Sequence, residues 1–202
     1  MLTHFSNGRF KAPNSGINTI AFNVGLNYNF NDKQEFIVDS LPSKDTYKER
    51  IKYNIAFRTG ISEGPVPHLG QRQFYHIGLY ADKRIGRKSA LQLGTDVFFS
   101  RYLQDYIEFV SVAFPESHHS YADPDTDYKR IGLFVGHELF INKLSIEAQV
   151  GYYVYKPLDY EIDLYQRIGI KYYLYKNIFT GVGLKTHGGR AEAIEATVGI
   201  RL

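Results

Sequence analysis

The sequence has no cysteine, no tryptophan and a single methionine among 202 residues. The lack of cysteine excludes disulfides, a thiolate nucleophile and any zinc or iron–sulfur site with cysteine ligands. Long apolar runs are also missing, since FVSVAF (109–114) is among the longest and a membrane-spanning helix needs about 18 apolar residues. The formal net charge of +3 is spread along the chain and gives no indication of nucleic-acid binding. Met1 is followed by the polar segment LTHFSNGRF, so no signal peptide is predicted at this end.

The chain is rich in aromatic residues, with 17 Tyr and 14 Phe, and alternates between apolar and polar residues. In the segment 18–30, Ile20, Phe22 and Val24 share one face, whereas Thr19 and Asn23 lie on the other. A period of two with one apolar face is typical of a β-strand. The same pattern predicts about ten strands in all. They are expected at roughly 2–9, 17–30, 49–62, 73–85, 89–102, 128–141, 144–156, 162–175, 178–187 and 191–202.

The links between these strands differ in length in a regular way. Short turns are expected at 85–89, 141–144 and 175–178, and longer links at 63–72, 103–127 and 157–161. Outer-membrane barrels have short periplasmic turns and longer external loops, so the longer links, together with 10–16, are predicted to face outside. The link 31–48 is long on the side of the short turns and breaks this rule. No helical period of 3.6 residues is recognised anywhere in the chain.

A soluble β-sandwich or lipocalin-like barrel would also have alternating strands. The polar face distinguishes the two interpretations, because it carries charged residues on strand after strand. These charges are expected to form a network that fills the lumen: Glu138, Glu147, Arg167, Lys171, Lys185 and Glu195. The apolar face carries Tyr28, Tyr53 and Tyr172 near strand ends, as an interfacial aromatic girdle requires. The favoured fold is therefore an all-β antiparallel transmembrane barrel.

The N-terminal segment holds the one pattern with catalytic chemistry. His4 and Ser6 are two residues apart on a predicted strand and share a face. A histidine within reach of a serine hydroxyl is the minimal activated nucleophile. After the turn at Pro13–Gly16, the next strand carries Asn18 on its apolar face. If strand pairing brings Asn18 next to His4, the three residues face lipid, a location suited to a lipid substrate.

The run HFSNGRFKAPNSGIN resembles the signature of the lipid A 3-O-deacylase (PagL) family, which has the pattern H-x-S-N, a short loop and P-N-x-G-[IL]-E. The residues that match it in order and spacing are His4, Ser6, Asn7, Pro13, Asn14, Gly16 and Ile17. The resemblance is close over about residues 2–30, the signature hairpin, and loose thereafter. It implies an outer-membrane barrel that hydrolyses an ester-linked acyl chain of lipopolysaccharide, with serine as nucleophile, histidine as base and glutamate as third member.

The chain departs from this family in two ways. Asn18 stands where the family has its glutamate. The signature also comes at the start of the chain, although in the family's small barrels it follows most of the strands. A single barrel domain over 1–202 that lacks upstream strands accounts for this order. A first strand of about eight residues is short for a membrane crossing of about 9–11 residues.

The resemblance predicts an outer-membrane esterase in which Ser6 attacks the acyl carbonyl, His4 accepts the proton and Asn18 holds the histidine tautomer. Asn7 and amides near Gly8 are the expected oxyanion donors. No metal and no cofactor are expected, and the expected partners are lipid A or lipopolysaccharide and membrane lipid, without nucleic acid. Two alternatives stay open: a non-catalytic porin- or adhesion-type barrel with a degenerate signature, and a soluble barrel that binds a small apolar ligand.

Overall fold

A computed structural model of the protein describes residues 2–5, 9, 17–20, 49–114 and 123–202. Within these residues the chain forms antiparallel strands and one helix. The elements are β1 (Leu2–Phe5), β2 (Ile17–Ile20), β3 (Lys52–Glu63), β4 (Gln71–Arg84), β5 (Ser89–Ser100), α1 (Tyr102–Ala113), β6 (Arg130–Ile141), β7 (Leu144–Tyr155), β8 (Leu164–Tyr175), β9 (Ile178–His187) and β10 (Arg190–Arg201). From β3 onward, the strand bounds agree with the predicted ones to within three residues.

Eight strands, β3 to β10, close into one barrel in which neighbours in sequence are neighbours in space. The first and last of them complete the circle, with Thr59 opposite Ala196 and Asn54 opposite Arg201. β1 and β2 form a separate two-stranded sheet. The prediction of about ten strands in one barrel is therefore wrong, because the last barrel strand pairs with the third strand of the chain. Closure leaves the barrel no edge for a further strand, and the presence of strands upstream of Met1 stays a prediction.

The two ends of the barrel differ, as the link lengths predicted. The short-loop end carries the turns 85–88, 142–143 and 176–177, and the long-loop end carries the links 64–70, 101–129 and 156–163. One tight turn also lies at the long-loop end, where Gly188 and Gly189 join β9 to β10 with φ of 55° and 87°. Two successive positive φ angles are the conformation of a two-residue hairpin turn, which glycine adopts without strain.

The outer wall of the barrel is apolar. Outward-facing side chains in the middle of the strands are largely exposed, for example Leu93 at 65%, Val135 at 60% and Val182 at 60%. Tyr53 and Tyr172 are exposed near the short-loop end, as predicted for a girdle, whereas Tyr28 lies outside the described residues. A soluble barrel would hide these groups in its interior, so the polarity of this barrel is the reverse of a soluble one.

The interior is filled by charged and aromatic side chains. Arg167 lies 2.8 Å from Asp96 and 2.6 Å from Glu195, and Arg58 lies 3.0 Å from the same aspartate. Closer to the short-loop end, Lys171 pairs with two buried glutamates: Glu138 at 3.1 Å and Glu147 at 2.6 Å. The predicted charged network in the lumen is thus confirmed. Pairing of this kind is what allows an eight-stranded barrel, whose interior is only as wide as its side chains, to bury charge.

One aromatic ring in the lumen requires glycine on two neighbouring strands. Tyr165 is completely buried and donates a hydrogen bond to Asp96 at 3.0 Å. Its ring lies against Gly132 and Gly151, where an added Cβ would come within 2.6 Å and 2.2 Å of ring atoms. Side chains larger than hydrogen at these positions would displace the tyrosine.

The helix α1 was not predicted, and it lies in the link expected over 103–127. Its buried residues Leu103, Ile107 and Val110 follow the i, i+4, i+7 spacing of a helix, and the first two pack with Leu158 of the link 156–163. The helical period was not recognised in the sequence because the exposed face of the helix is not uniformly polar: Val112 lies on it, is apolar and is 76% exposed. No helix among the described residues is long and apolar enough to cross a membrane.

Candidate functional site

The paired strands β1 and β2 bring together two of the residues predicted to form a site. In the antiparallel register His4 is the partner of Asn18, with Thr3 opposite Thr19 and Phe5 opposite Ile17. Directly opposite residues are the closest neighbours between two strands, so this backbone register is the one that the predicted His–Asn contact requires. Ser6, Asn7 and Gly8 lie outside the described residues.

Arg9, between β1 and β2 in sequence, is bound to the long-loop end of the barrel. Its carbonyl oxygen accepts a hydrogen bond of 3.2 Å from the backbone N–H of Glu63, the last residue of β3. Its guanidinium donates to Glu161 at 3.1 Å and to the hydroxyl of Tyr160 at 2.8 Å. The same group lies over the rings of Tyr102 and Tyr160, at 5.4 Å and 5.8 Å from their centroids.

Glu161 connects this contact to the lumen. Its second carboxylate oxygen accepts a hydrogen bond of 2.9 Å from Arg130, which also pairs with the buried Glu192. Burial, and then the neighbouring Glu192 carboxylate, raise the pKa of Glu161. Arg9 and Arg130 each bind one oxygen of this largely buried carboxylate and bring positive charge beside it.

Glu161, Glu192 and His187 have metal-ligating atoms that lie within 4.8 Å of one another. Cations of the protein already surround this group, because Arg130 and Lys185 both pair with Glu192, and Arg9 pairs with Glu161. Three positive side chains against two carboxylates make this an unfavourable place for a divalent cation. The cluster is best described as part of the ion-pair network.

A Ser–His–carboxylate arrangement lies inside the barrel, apart from the predicted site, and sequence reasoning missed it. The hydroxyl of Ser100 lies 3.2 Å from Nε2 of His76, and Nδ1 of that histidine lies 2.7 Å from Glu195. Ser100 lies 24 residues after His76 in the sequence, and Glu195 lies 119 residues after it. No local motif therefore identifies the three residues, although alternation assigns each of them to the polar face of its strand.

This arrangement is closed to substrate. Ser100, His76 and Glu195 are each 0% exposed, and Ser100 also accepts a hydrogen bond of 2.9 Å from Arg130. An ester cannot approach a hydroxyl that is enclosed in this way. The distances of a catalytic triad are therefore present in the lumen network without the access that catalysis requires.

The exposed His137 and the buried Glu138 are adjacent in sequence but lie on opposite faces of β6. His137 shares a hydrogen bond with Ser89 on the outer wall. Glu138 and Glu147 are both buried inside the barrel, so neither belongs with the residues of the signature hairpin, as the alternation predicted.

Together these features define a closed antiparallel barrel with an apolar wall and an ion-paired interior, with Arg9 bound at its long-loop end. Residues 51–202 match the family described as "Acyloxyacyl hydrolase, C-terminal domain", and residues 1–27 match "Lipid A 3-O-deacylase (PagL)". The first match covers most of the chain, and the protein belongs to the acyloxyacyl hydrolase C-terminal domain family. The second confirms the resemblance seen in the run HFSNGRFKAPNSGIN.

A solved structure described as "Crystal structure of Neisserial surface protein A (NspA)" is similar to this chain at 13% sequence identity and a TM-score of 0.40. The similarity covers 75% of this chain and 95% of that one. A comparison with curated proteins gave no significant match.

Proposed function

We propose that this protein is an outer-membrane barrel that hydrolyses an ester-linked acyl chain of lipid A, with its site on the signature hairpin. The observation that carries the proposal is the pairing of His4 with Asn18 within a segment that matches the lipid A 3-O-deacylase family. In this proposal 1–202 acts as one unit, because Arg9 joins the hairpin to the barrel.

The bacterial outer membrane is the location that the wall of the barrel favours. Exposed leucine and valine side chains in the middle of the strands suit hydrocarbon, and the exposed tyrosines Tyr53 and Tyr172 near strand ends suit an interface. By the rule of short periplasmic turns, the long-loop end faces outward. Because Arg9 is bound at that end, the proposal has the hairpin on the side of the membrane where lipopolysaccharide lies.

All the protein groups that the proposed reaction uses belong to the hairpin. Ser6 attacks the acyl carbonyl while His4 takes the hydroxyl proton, and the bond to the sugar oxygen breaks as that oxygen receives the proton. Water then attacks the acyl-serine ester in the same way and releases the fatty acid. Asn18 accepts a hydrogen bond from the second imidazole nitrogen, and Asn7 with the amide of Gly8 stabilises the oxyanion.

A non-catalytic barrel is the second candidate, and Asn18 is the observation that favours it. An amide can orient the histidine but supplies no negative charge to the imidazolium that forms in the transition state. Slow hydrolysis is expected from the first candidate and none from the second.

The two candidates are separated by following acyl loss from lipid A by mass spectrometry with the full chain in detergent. Ser6→Ala is expected to abolish the reaction. Ser100→Ala is the matched control, because it removes a serine with triad-like partners that substrate cannot reach, and it is expected to keep the wild-type rate. Equal rates for wild type and Ser6→Ala would refute the proposed mechanism, and no acyl loss from the wild-type chain would favour the non-catalytic barrel.

A further inference from the structure

Arg9 contacts the barrel through both its backbone and its side chain. It is bonded through its backbone to the end of β3 and through its side chain to Tyr160 and Glu161 in the link between β7 and β8, and it lies over Tyr102 at the start of α1. Three separate parts of the long-loop end therefore meet on one residue of the hairpin.

The backbone conformation of Arg9 is unusual for a residue with a side chain. Its φ of 61° lies in the left-handed region, which is unfavourable for a non-glycine residue and which glycine adopts freely. The residue with this backbone conformation is nevertheless an arginine, and its planar guanidinium donates to two acceptors, Glu161 and Tyr160. The carboxylate of Glu161 that receives Arg9 also accepts a hydrogen bond from Arg130, so it is bound from both of its oxygens.

The position of Arg9 limits where the proposed nucleophile can be. Ser6 precedes Arg9 by three residues, and three residues of extended chain span at most about 11 Å. The covalent chain therefore keeps Ser6 within about 11 Å of Arg9, and small displacements of a nucleophile have large effects on rate.

We propose that Arg9 is a positioning residue, which holds the signature hairpin on the barrel through Glu161 and Tyr160 and thereby aligns Ser6 and His4 with the acyl ester. This inference rests on the proposed function, although the docking itself is measurable without activity. The role of the barrel is then to present the hairpin to the outer leaflet in one orientation.

The docking is tested by a distance measurement between two spin labels in the full chain. Because the sequence has no cysteine, the labelled variant needs only Thr3→Cys on β1 and Lys129→Cys beside β6. A narrow distance distribution is expected for this protein and a broad one after Arg9→Ala. Arg72→Ala is the matched control, since Arg72 belongs to the same end of the barrel and pairs with Asp105 at 2.5 Å but is half exposed. A distribution that stays narrow in Arg9→Ala would overturn the proposal.

The positioning role is tested by kinetics of lipid A deacylation. Arg9→Ala is expected to lower kcat by about tenfold to a hundredfold, with KM changed less than about twofold and the melting of the barrel unchanged. Arg9→Lys, which keeps the charge, is expected to retain an intermediate rate. Adding Tyr160→Phe to Arg9→Ala is expected to cause no further loss of kcat, because both changes break the same hydrogen bond between Arg9 and the Tyr160 hydroxyl.

A loss of kcat in Arg9→Ala that Arg72→Ala reproduces would overturn the positioning role. If no variant deacylates lipid A, the proposed function fails and the spin-label distances alone decide whether Arg9 holds the hairpin.

Discussion

An arginine placed on the outer wall tests the membrane location directly. Val135 lies near the middle of β6, is 60% exposed, and has the outward-facing Leu93 and Val150 as its partners on the adjacent strands. In a bilayer, Val135→Arg puts a charge near the midplane and is expected to lower the free energy of unfolding by about 2–4 kcal/mol. On a water-exposed wall, the same change at a solvated position is expected to stay within about 0.5 kcal/mol.

The matched control is Ile141→Arg, which is on the same strand and is 50% exposed but lies at its short-loop end. There the side chain reaches the interface, and the expected loss is about 0–1 kcal/mol. Stabilities are measured by urea titration in lipid vesicles, followed by far-UV circular dichroism, since the chain has no tryptophan for fluorescence. Equal, small losses for Val135→Arg and Ile141→Arg would refute the membrane location.

Three further predictions concern the site and the lumen. Asn18→Glu is expected to speed lipid A deacylation and Asn18→Ala to slow it, measured as acyl release in one detergent, and an unchanged rate for Asn18→Ala would mean that another residue orients His4. Arg167→Ala leaves two buried carboxylates short of a partner and is expected to lower the free energy of unfolding by about 3–5 kcal/mol in urea titration, whereas a loss below about 1 kcal/mol would show that the lumen is hydrated. Gly151→Ala drives a methyl group into the Tyr165 ring and is expected to lose about 1–3 kcal/mol in the same assay, against a small effect for Gly86→Ala, where a Cβ meets nothing within 4 Å.

Alternation was sufficient to predict the barrel strands because the outer face of each strand carries apolar side chains and the inner face lines the charged lumen. Arg167 and Lys171 show this on β8, where both are buried between exposed neighbours such as Ile168 and Ile170. The pairing of strands was less predictable, since the pattern of a strand does not say which other strand it joins. β2 alternates as well as β3 does, yet only β3 pairs with β10.

The contacts within the proposed site were likewise not predictable from the sequence pattern alone. The roles proposed for His4 and Ser6 came from resemblance to a family, because two residues at that spacing are common. The pairing of His4 with Asn18 depends on a strand register that only the fold supplies. The contacts of Arg9 with Tyr160 and Glu161 join residues more than 150 positions apart. No local pattern could have indicated them.

The position of Glu192 and Glu195 on β10 has a consequence for how the barrel assembles. Their cationic partners come from other strands, namely Arg130 on β6, Arg167 on β8 and Lys185 on β9. Arg130 on β6 is four strands away from β10 in either direction around the barrel, so its ion pair with Glu192 crosses the lumen and requires the sheet to be fully curled. Closure of the sheet and pairing of these two charges therefore stabilise one another, because a partly open sheet would leave Arg130 and Glu192 apart.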